Sequence, residues 1–262
     1  MQTDLAGRGA LITGSVGGLG LAIAISLARC GCRVMLHGIA SEGEAAPALE
    51  RVREAGAEVF YCRADLSGGY QAATALAETA QAQLGTVDIL VNNAVTRHFA
   101  PLEEMPPQSW EKALSVNVSA PFYLVQTLLP GMRARGWGRV VNMVSVYGQR
   151  GVSNRSDYVT SKAALLGLTR AIAAETAGTG VTSNAVCPGS VSTPGTEERV
   201  AALMAGGLSR EEAVRSFLVG KQPSGRFVEA EGVAAAVLFL CSEGARDITS
   251  SVLPVDGGWL GI

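Results

Sequence analysis

The sequence predicts one α/β domain of the doubly wound kind, with a mostly parallel seven-stranded sheet and helices on both faces. Three observations predict it. Short β-branched or apolar runs alternate with longer stretches of helical pattern. The runs are nearly continuous in apolar residues, as strands buried on both faces require. A cluster of glycines sits where the first run meets the first helix, at the junction where such folds turn most sharply. Strand–helix–strand repetition favours right-handed crossovers and a sheet covered on both sides. Ligands then bind beyond the carboxyl ends of the strands.

The elements follow in order. The first strand is expected over residues 10–13, followed by the glycines and a largely apolar helix from Leu19. The second strand covers 33–36 and precedes a charged helix over 42–54. Further strands are expected over 59–62, 88–91, 139–144, 182–186 and 251–255. A long helix opens near Ser156 and runs to about Ala177. The least regular stretch, 189–225, follows the sixth strand. A long excursion beyond a strand's carboxyl end is expected to cover substrate as a lid. No composition break or linker divides the chain, so the domain is taken as 1–262.

Composition limits the function classes. The 262 residues are 48% hydrophobic and 17% charged, with a net charge of −2, enough apolar material for a substantial core. Lys and Arg form no long runs, so nucleic acid is not expected as a partner. The start MQTDLAGRGA lacks an apolar signal core, and no stretch nears ~20 apolar residues. The expectation is a cytoplasmic protein without membrane association. Cys30, Cys32, Cys62, Cys187 and Cys241 are odd in number and form no C-x-x-C pair. They read as reduced, mostly buried thiols, with no metal site expected.

Two groups of residues carry chemistry. Thr13-Gly14-Ser15-Val16-Gly17-Gly18-Leu19-Gly20 joins the first strand to the first helix. Glycines there let backbone approach a pyrophosphate while the helix N-terminus attracts the anion. Tyr158 and Lys162 lie four apart and share a helix face. Ser145 ends the fifth strand, so strand end and helix start meet at the top of the sheet. Oxidising an alcohol by hydride removal also requires taking its hydroxyl proton. A tyrosine of ordinary pKa, about 10, is a poor base near neutrality. A neighbouring ammonium and a positive nicotinamide ring favour the phenolate. Ser145 can hydrogen-bond the substrate oxygen as charge develops.

With this T-G-x-x-x-G-x-G loop and the Ser145, Tyr158, Lys162 set, the chain resembles the short-chain dehydrogenase/reductase family, from about Arg8 to Trp259. The resemblance implies a Rossmann fold and nicotinamide-dependent oxidoreduction. It also implies further site residues. Asn93 and Ala94 match the family's N-N-A-G turn, in which Val95 stands for the last glycine. Asn117 matches the helix asparagine of the proton relay, completing a catalytic set of Asn117, Ser145, Tyr158 and Lys162. Pro188, Gly189, Val191 and Thr193 match the turn beside the nicotinamide. Asp65 and Leu66 match the adenine-binding pair, and Asp256-Gly257-Gly258 the C-terminal signature. Within the loop, Gly14, Ser15, Gly18, Leu19 and Gly20 are the expected cofactor contacts, joined by Tyr158 and Lys162. The family commonly forms tetramers through its long helices. The small and apolar residues Ala163, Ala164, Leu165, Leu168 and Ala171 fit an interface, so a homotetramer is expected.

The second strand ends Leu36-His37-Gly38-Ile39, without the acid that usually takes the ribose of NAD. Neither this end nor the Ser15-Val16 turn carries the Arg or Lys that favours NADP. NAD is expected, with Gly38 among its contacts. Several segments resemble the D-3-hydroxybutyrate dehydrogenase branch, among them Lys221-Gln222-Pro223-Ser224 and Asp256-Gly257-Gly258-Trp259. The positions matching that branch's carboxylate pocket are here Arg97, Tyr147, Arg155 and Arg199, and Ser190 stands for a pocket Trp. The implied substrate is small, polar or acidic, larger than or similar to 3-hydroxybutyrate, and held beside Ser145. Competing readings are a polyol or sugar dehydrogenase, a 3-oxoacyl reductase, or a dinucleotide-binding sensor without catalysis.

Overall fold

The computed structural model describes residues 5–261; positions 1–4 and 262 of the expected domain, and the side chains of residues 194 and 195 in the expected lid, lie outside the described residues. Seven strands form one sheet: β1 (Gly9–Ile12), β2 (Arg33–Gly38), β3 (Val59–Arg63), β4 (Ile89–Asn92), β5 (Gly138–Met143), β6 (Val181–Pro188) and β7 (Val252–Val255). Their order is β3-β2-β1-β4-β5-β6-β7. Every pairing is parallel, where the sequence suggested mostly parallel. The order reverses between β1 and β4, which opens a crevice at their carboxyl ends.

The helices are α1 (Gly18–Arg29), α2 (Glu42–Glu54), α3 (Gly69–Leu84), α4 (Pro107–Leu114), α5 (Ala120–Ala134), α6 (Ser156–Thr176), α7 (Pro194–Ala205), α8 (Arg210–Leu218) and α9 (Ala230–Cys241). Successive strand residues point to opposite faces, and the core divides accordingly. Ala10, Ile12, Val34, Leu36, Ile89 and Val91 pack on one face with α1, α2 and α9. Leu11, Met35, Leu90 and Val140 pack on the other with α3 and α5 and with Ile172 of α6. Runs such as Ala10-Leu11-Ile12 are apolar throughout because both faces are covered.

Expected and observed strands agree within a residue or two. The excursion is more regular than its composition suggested, since α7 and α8 occupy much of it. Each begins with a capping box, Thr193 with Thr196 and Ser209 with Glu212, in which N-cap and N3 side chains satisfy each other's backbone N–H. Among the described residues no helix is long and apolar enough to cross a membrane. Among the described residues no disulfide forms, and Cys32, Cys187 and Cys241 are buried.

Candidate active site

The carboxyl ends of β1, β4, β5 and β6 open into a cleft of about 760 Å³. Its floor begins at the glycine loop. Gly14 has φ +62° because an added Cβ would lie 2.8 Å from Ala94 Cα. A Cβ on Gly20 would meet the Gly14 carbonyl oxygen at 2.3 Å. These contacts hold loop and helix together, and only glycine allows them. Gly17 is the N-cap of α1 and supplies no side-chain cap, so the first N–H groups of the helix face the cleft without an internal partner.

The turn after β4 is bolted to this loop. Thr13 Oγ accepts hydrogen bonds from the backbone N–H groups of Asn93 and Ala94, both at 2.9 Å. Asn93 Nδ2 donates to the carbonyls of Thr13 and Gly14 at 2.9 and 2.8 Å. Val95 does not take a positive φ, so its replacement of a family glycine leaves the backbone unstrained.

Ser145, Tyr158 and Lys162 all line the cleft, although all three are largely buried. Lys162 Nζ donates to the Met143 carbonyl at 2.6 Å and lies 5.7 Å from the centre of the Tyr158 ring. Burial pulls its pKa down to about 8, against a raising effect of Cys187, with Arg97 adding to the fall. Tyr147 stacks edge-on with Tyr158 at 6.4 Å and with Trp259 at 5.4 Å. Asn117 stands behind the cleft, in a π-helical turn over Ser115–Ser119 that links α4 to α5. Its side chain is saturated: Oδ1 accepts from Thr96 N–H, and Nδ2 donates to the Thr96 carbonyl and to Ser161 Oγ. Such π turns inside helices recur at functional sites.

Most of the expected contacts converge. Gly14, Gly18, Leu19, Gly20, Asn93, Ala94, Pro188, Gly189, Val191 and Thr193 line the main cleft. Gly38, Asp65 and Leu66 line an adjoining cavity of about 360 Å³. Ser15 does not face either. Its hydroxyl turns inward, donating to the Ile12 carbonyl and accepting from His37 N–H, so it braces β1 against β2. Arg97, Tyr147, Arg155, Ser190 and Arg199 also line the main cleft.

His37 is a structural group. Gly14 N–H donates to its Nδ1 at 3.1 Å, so the ring proton is on Nε2, 3.1 Å from the Ala64 carbonyl. Burial lowers its pKa to about 4, which leaves the ring neutral at physiological pH. A Cβ on Gly38 would lie 2.7 Å from Val16 Cγ2, so this strand end has no room for an acid. Two cations reach the region from elsewhere: Arg63 Nε donates to the Ile39 carbonyl at 3.0 Å, and Lys112 of α4 lines the cavity. Sequence reading missed both, because β3 and α4 meet the strand end only in three dimensions.

Other residues were missed for the same reason. Gln222, buried at the base of the excursion, accepts from Ser190 N–H at 2.8 Å and donates to the Arg226 carbonyl. Trp259 lines the cleft beside Tyr147. Asp157, wholly buried, accepts from Tyr158 N–H at 2.6 Å and from His98 N–H and Nδ1, both at 3.0 Å. That acid ties the start of α6 to the loop carrying Arg97.

Comparison with known proteins agrees with this geometry. The short chain dehydrogenase family model matches residues 8–203. The chain is 39% identical over 259 residues to the D-beta-hydroxybutyrate dehydrogenase of Cupriavidus necator, covering 98% of this chain and 99% of that protein. It is 38% identical over 251 residues to the acetoacetyl-CoA reductase of Rhizobium meliloti, covering 96% and 98%. Among solved structures it resembles, with a TM-score of 0.85 and 31% identity, an Agrobacterium tumefaciens protein assigned provisionally as a 2-deoxy-d-gluconate 3-dehydrogenase, with bound NADP; the match covers 99% of this chain and 98% of that one. A parallel sheet with a glycine-loop crevice, a serine, tyrosine and lysine gathered in it, and these full-length matches lead to one conclusion: the chain belongs to the short-chain dehydrogenase family and is an oxidoreductase of that family.

Proposed function

We propose that the enzyme moves a hydride between NAD and a secondary hydroxy acid, or the corresponding keto acid, with Tyr158 exchanging the hydroxyl proton. One observation carries the reading: Ser145, Tyr158 and Lys162 share a cleft whose outer wall carries Arg97, Arg155 and Arg199.

The residues present fit a nicotinamide dinucleotide. Uncapped N–H groups at the start of α1 and the open space around Gly17 and Gly18 suit a pyrophosphate. Asp65, Leu66 and Gly38 would flank the adenosine, and Pro188, Gly189, Val191 and Thr193 the nicotinamide. When bound, the nicotinamide ring accepts or gives back the hydride. Tyr158, as phenolate, takes the hydroxyl proton of the alcohol, and Ser145 Oγ donates to the substrate oxygen. The Lys162 ammonium stabilises the phenolate, and its bond to the Met143 carbonyl fixes its position. Asn117 holds Thr96 and Ser161 around the tyrosine helix and so positions rather than reacts. Arg155 and Arg97 are placed to receive the substrate carboxylate, which guanidinium matches in a bidentate way.

NAD is preferred on the chemistry of the β2 end. Neutral His37 and the side-chain-free Gly38 offer a 2′-phosphate no cation of their own, while Arg63 is engaged with the Ile39 carbonyl and Lys112 lines the adjoining cavity. The excursion over 189–225 serves as a lid. A homotetramer accounts for the exposed small residues Ala163, Ala164 and Ala171 on α6 and the exposed Phe122 on α5; a monomer by light scattering at micromolar concentration would refute it.

The test is initial-rate kinetics with NAD and with NADP on a panel of 3-hydroxy acids, polyols and neutral secondary alcohols. The expected result is turnover of hydroxy acids with higher kcat/KM for NAD. Faster turnover of polyols would replace the substrate reading, and higher kcat/KM for NADP the cofactor reading.

A further inference from the structure

Three arginines and a lysine face one another across the outer cleft. Arg97 comes from the loop after β4, Arg155 from the N-cap of α6, Arg199 from α7, and Lys221 from the chain just beyond α8. Among the described residues none of the four pairs with a carboxylate. The acid lining the cleft, Glu231, lies on α9, the helix packed against α1 and the glycine loop.

The cations form two layers. Arg155 is half-buried; its guanidinium lies 3.8 Å from the Phe99 ring centre, and 5.7 and 5.9 Å from those of Tyr158 and Tyr147. This inner charge lies beside the Tyr158 ring. Arg199, 5.9 Å from the same Phe99 ring, and Lys221, held by its bond to the Phe217 carbonyl, come from the lid side. Each layer makes the other costlier. The Arg155 pKa is lowered by burial first and then by Arg97, with Arg199 adding. That of Lys221 is lowered by burial, then by Arg199 and Arg155. A single carboxylate fills one bidentate guanidinium fork and leaves the second layer uncompensated.

We infer that the substrate carries two anionic groups, and that it is a secondary hydroxy acid with a second carboxylate: Arg155 and Arg97 grip the carboxylate nearer the reacting carbon, and Arg199 and Lys221 take the distal one from the lid. This rests on the hydride-transfer reading above and adds the second charge to it.

The test uses matched pairs of hydroxy diacids of four, five and six carbons and their distal half-methyl esters, which remove the distal charge and add one methyl group. With the full-length enzyme and NAD, at least one diacid is expected to exceed its half-ester about ten- to a hundredfold in kcat/KM. Arg199→Met and Lys221→Met should each lower the diacid rate more than the half-ester rate, shrinking that ratio. Arg155→Met should lower both together. Half-esters as good as diacids at every length would overturn the inference while leaving hydride transfer intact, and so would a ratio unchanged in both lid variants. Absence of turnover on every compound, neutral alcohols included, would sink the hydride-transfer reading instead. Calorimetric binding of the same pairs then decides the inference: tighter diacid binding that weakens in Arg199→Met upholds it, and equal binding ends it.

Discussion

Arginines gather at both ends of the sheet, and they are handled in opposite ways. At the amino end Arg135 Nε lies 3.0 Å and Arg8 3.9 Å from Asp88, which also accepts from Gly9 N–H and Thr86 Oγ. Arg8 and Arg139 stack on Trp137 at 3.9 and 4.3 Å, and Arg139 donates to the Gly138 and Gly180 carbonyls. Each charge there has a fixed partner within the fold. At the carboxyl end Arg155 and Arg199 share the Phe99 ring, and among the described residues neither they nor Arg97 pair with an acid. The amino-end arginines therefore work as staples joining strands, helix and loop. The carboxyl-end arginines line an open cleft, where the proposed diacid would supply the missing charge. Residue type does not separate the two sets; fixed polar partners within the fold do, an acid for Arg8 and Arg135 and backbone carbonyls for Arg139.

The comparison yields its largest effect at the chemistry. Tyr158→Phe should reduce kcat by about 10²–10⁴ while thermal unfolding and dinucleotide binding stay near wild type, because only one oxygen is lost. Lys162→Ala should impair turnover and binding together. Near-full activity of Tyr158→Phe at neutral pH would show that another group is the base.

The next effect concerns His37, the neutral member of the carboxyl end. Its pKa is about 4 in the folded protein against 6.5 unfolded. Between these values the unfolded chain binds more protons, so stability is complete above pH 6.5 and falls as pH drops toward 4. The loss is limited to about 3 kcal/mol. Urea unfolding from pH 7.5 to 4.5 should show this slope, and His37→Asn should flatten it. Equal slopes in both proteins would assign the acid sensitivity elsewhere.

The smallest effect lies at the amino end. Asp88→Asn should cost about 2 kcal/mol of stability, since it weakens a buried acceptor whose arginine partners are partly in water. It should leave kcat/KM per folded molecule unchanged. A change in KM with unchanged stability would erase the distinction between the two ends.

Much of this was legible in the sequence, and the reasons are physical. Strands such as Ala10-Leu11-Ile12 announce themselves because burial on both faces demands unbroken apolar runs. Gly14 and Gly20 were legible because a tight loop under a helix admits no other residue. Ser145, Tyr158 and Lys162 were legible because strand end and helix start fix their meeting. The inward turn of Ser15 was not, since a hydroxyl beside a glycine reads the same whether it faces ligand or β2. Lys112, Trp259 and Gln222 were hidden as well: their roles arise where distant segments return to the sheet, and no local spacing records that return. The two helices of the excursion, α7 and α8, show the intermediate case. Their capping residues are written plainly in Thr193 and Ser209, but weak apolar periodicity obscured them.

Gln222 has an evolutionary consequence. Its amide joins Ser190, at the start of the excursion, to Arg226, at its end, and Val228 N–H bonds the Ser190 carbonyl beside it. The two stems of the excursion are thereby sealed to each other before α7 begins and after α8 finishes. Whatever lies between them can lengthen, shorten or change sequence without passing strain into the sheet. A library confined to the exposed positions of residues 196–218, sparing the buried Val200, Ala213 and Leu218, should retain folded, dinucleotide-binding members while their substrate preferences diverge.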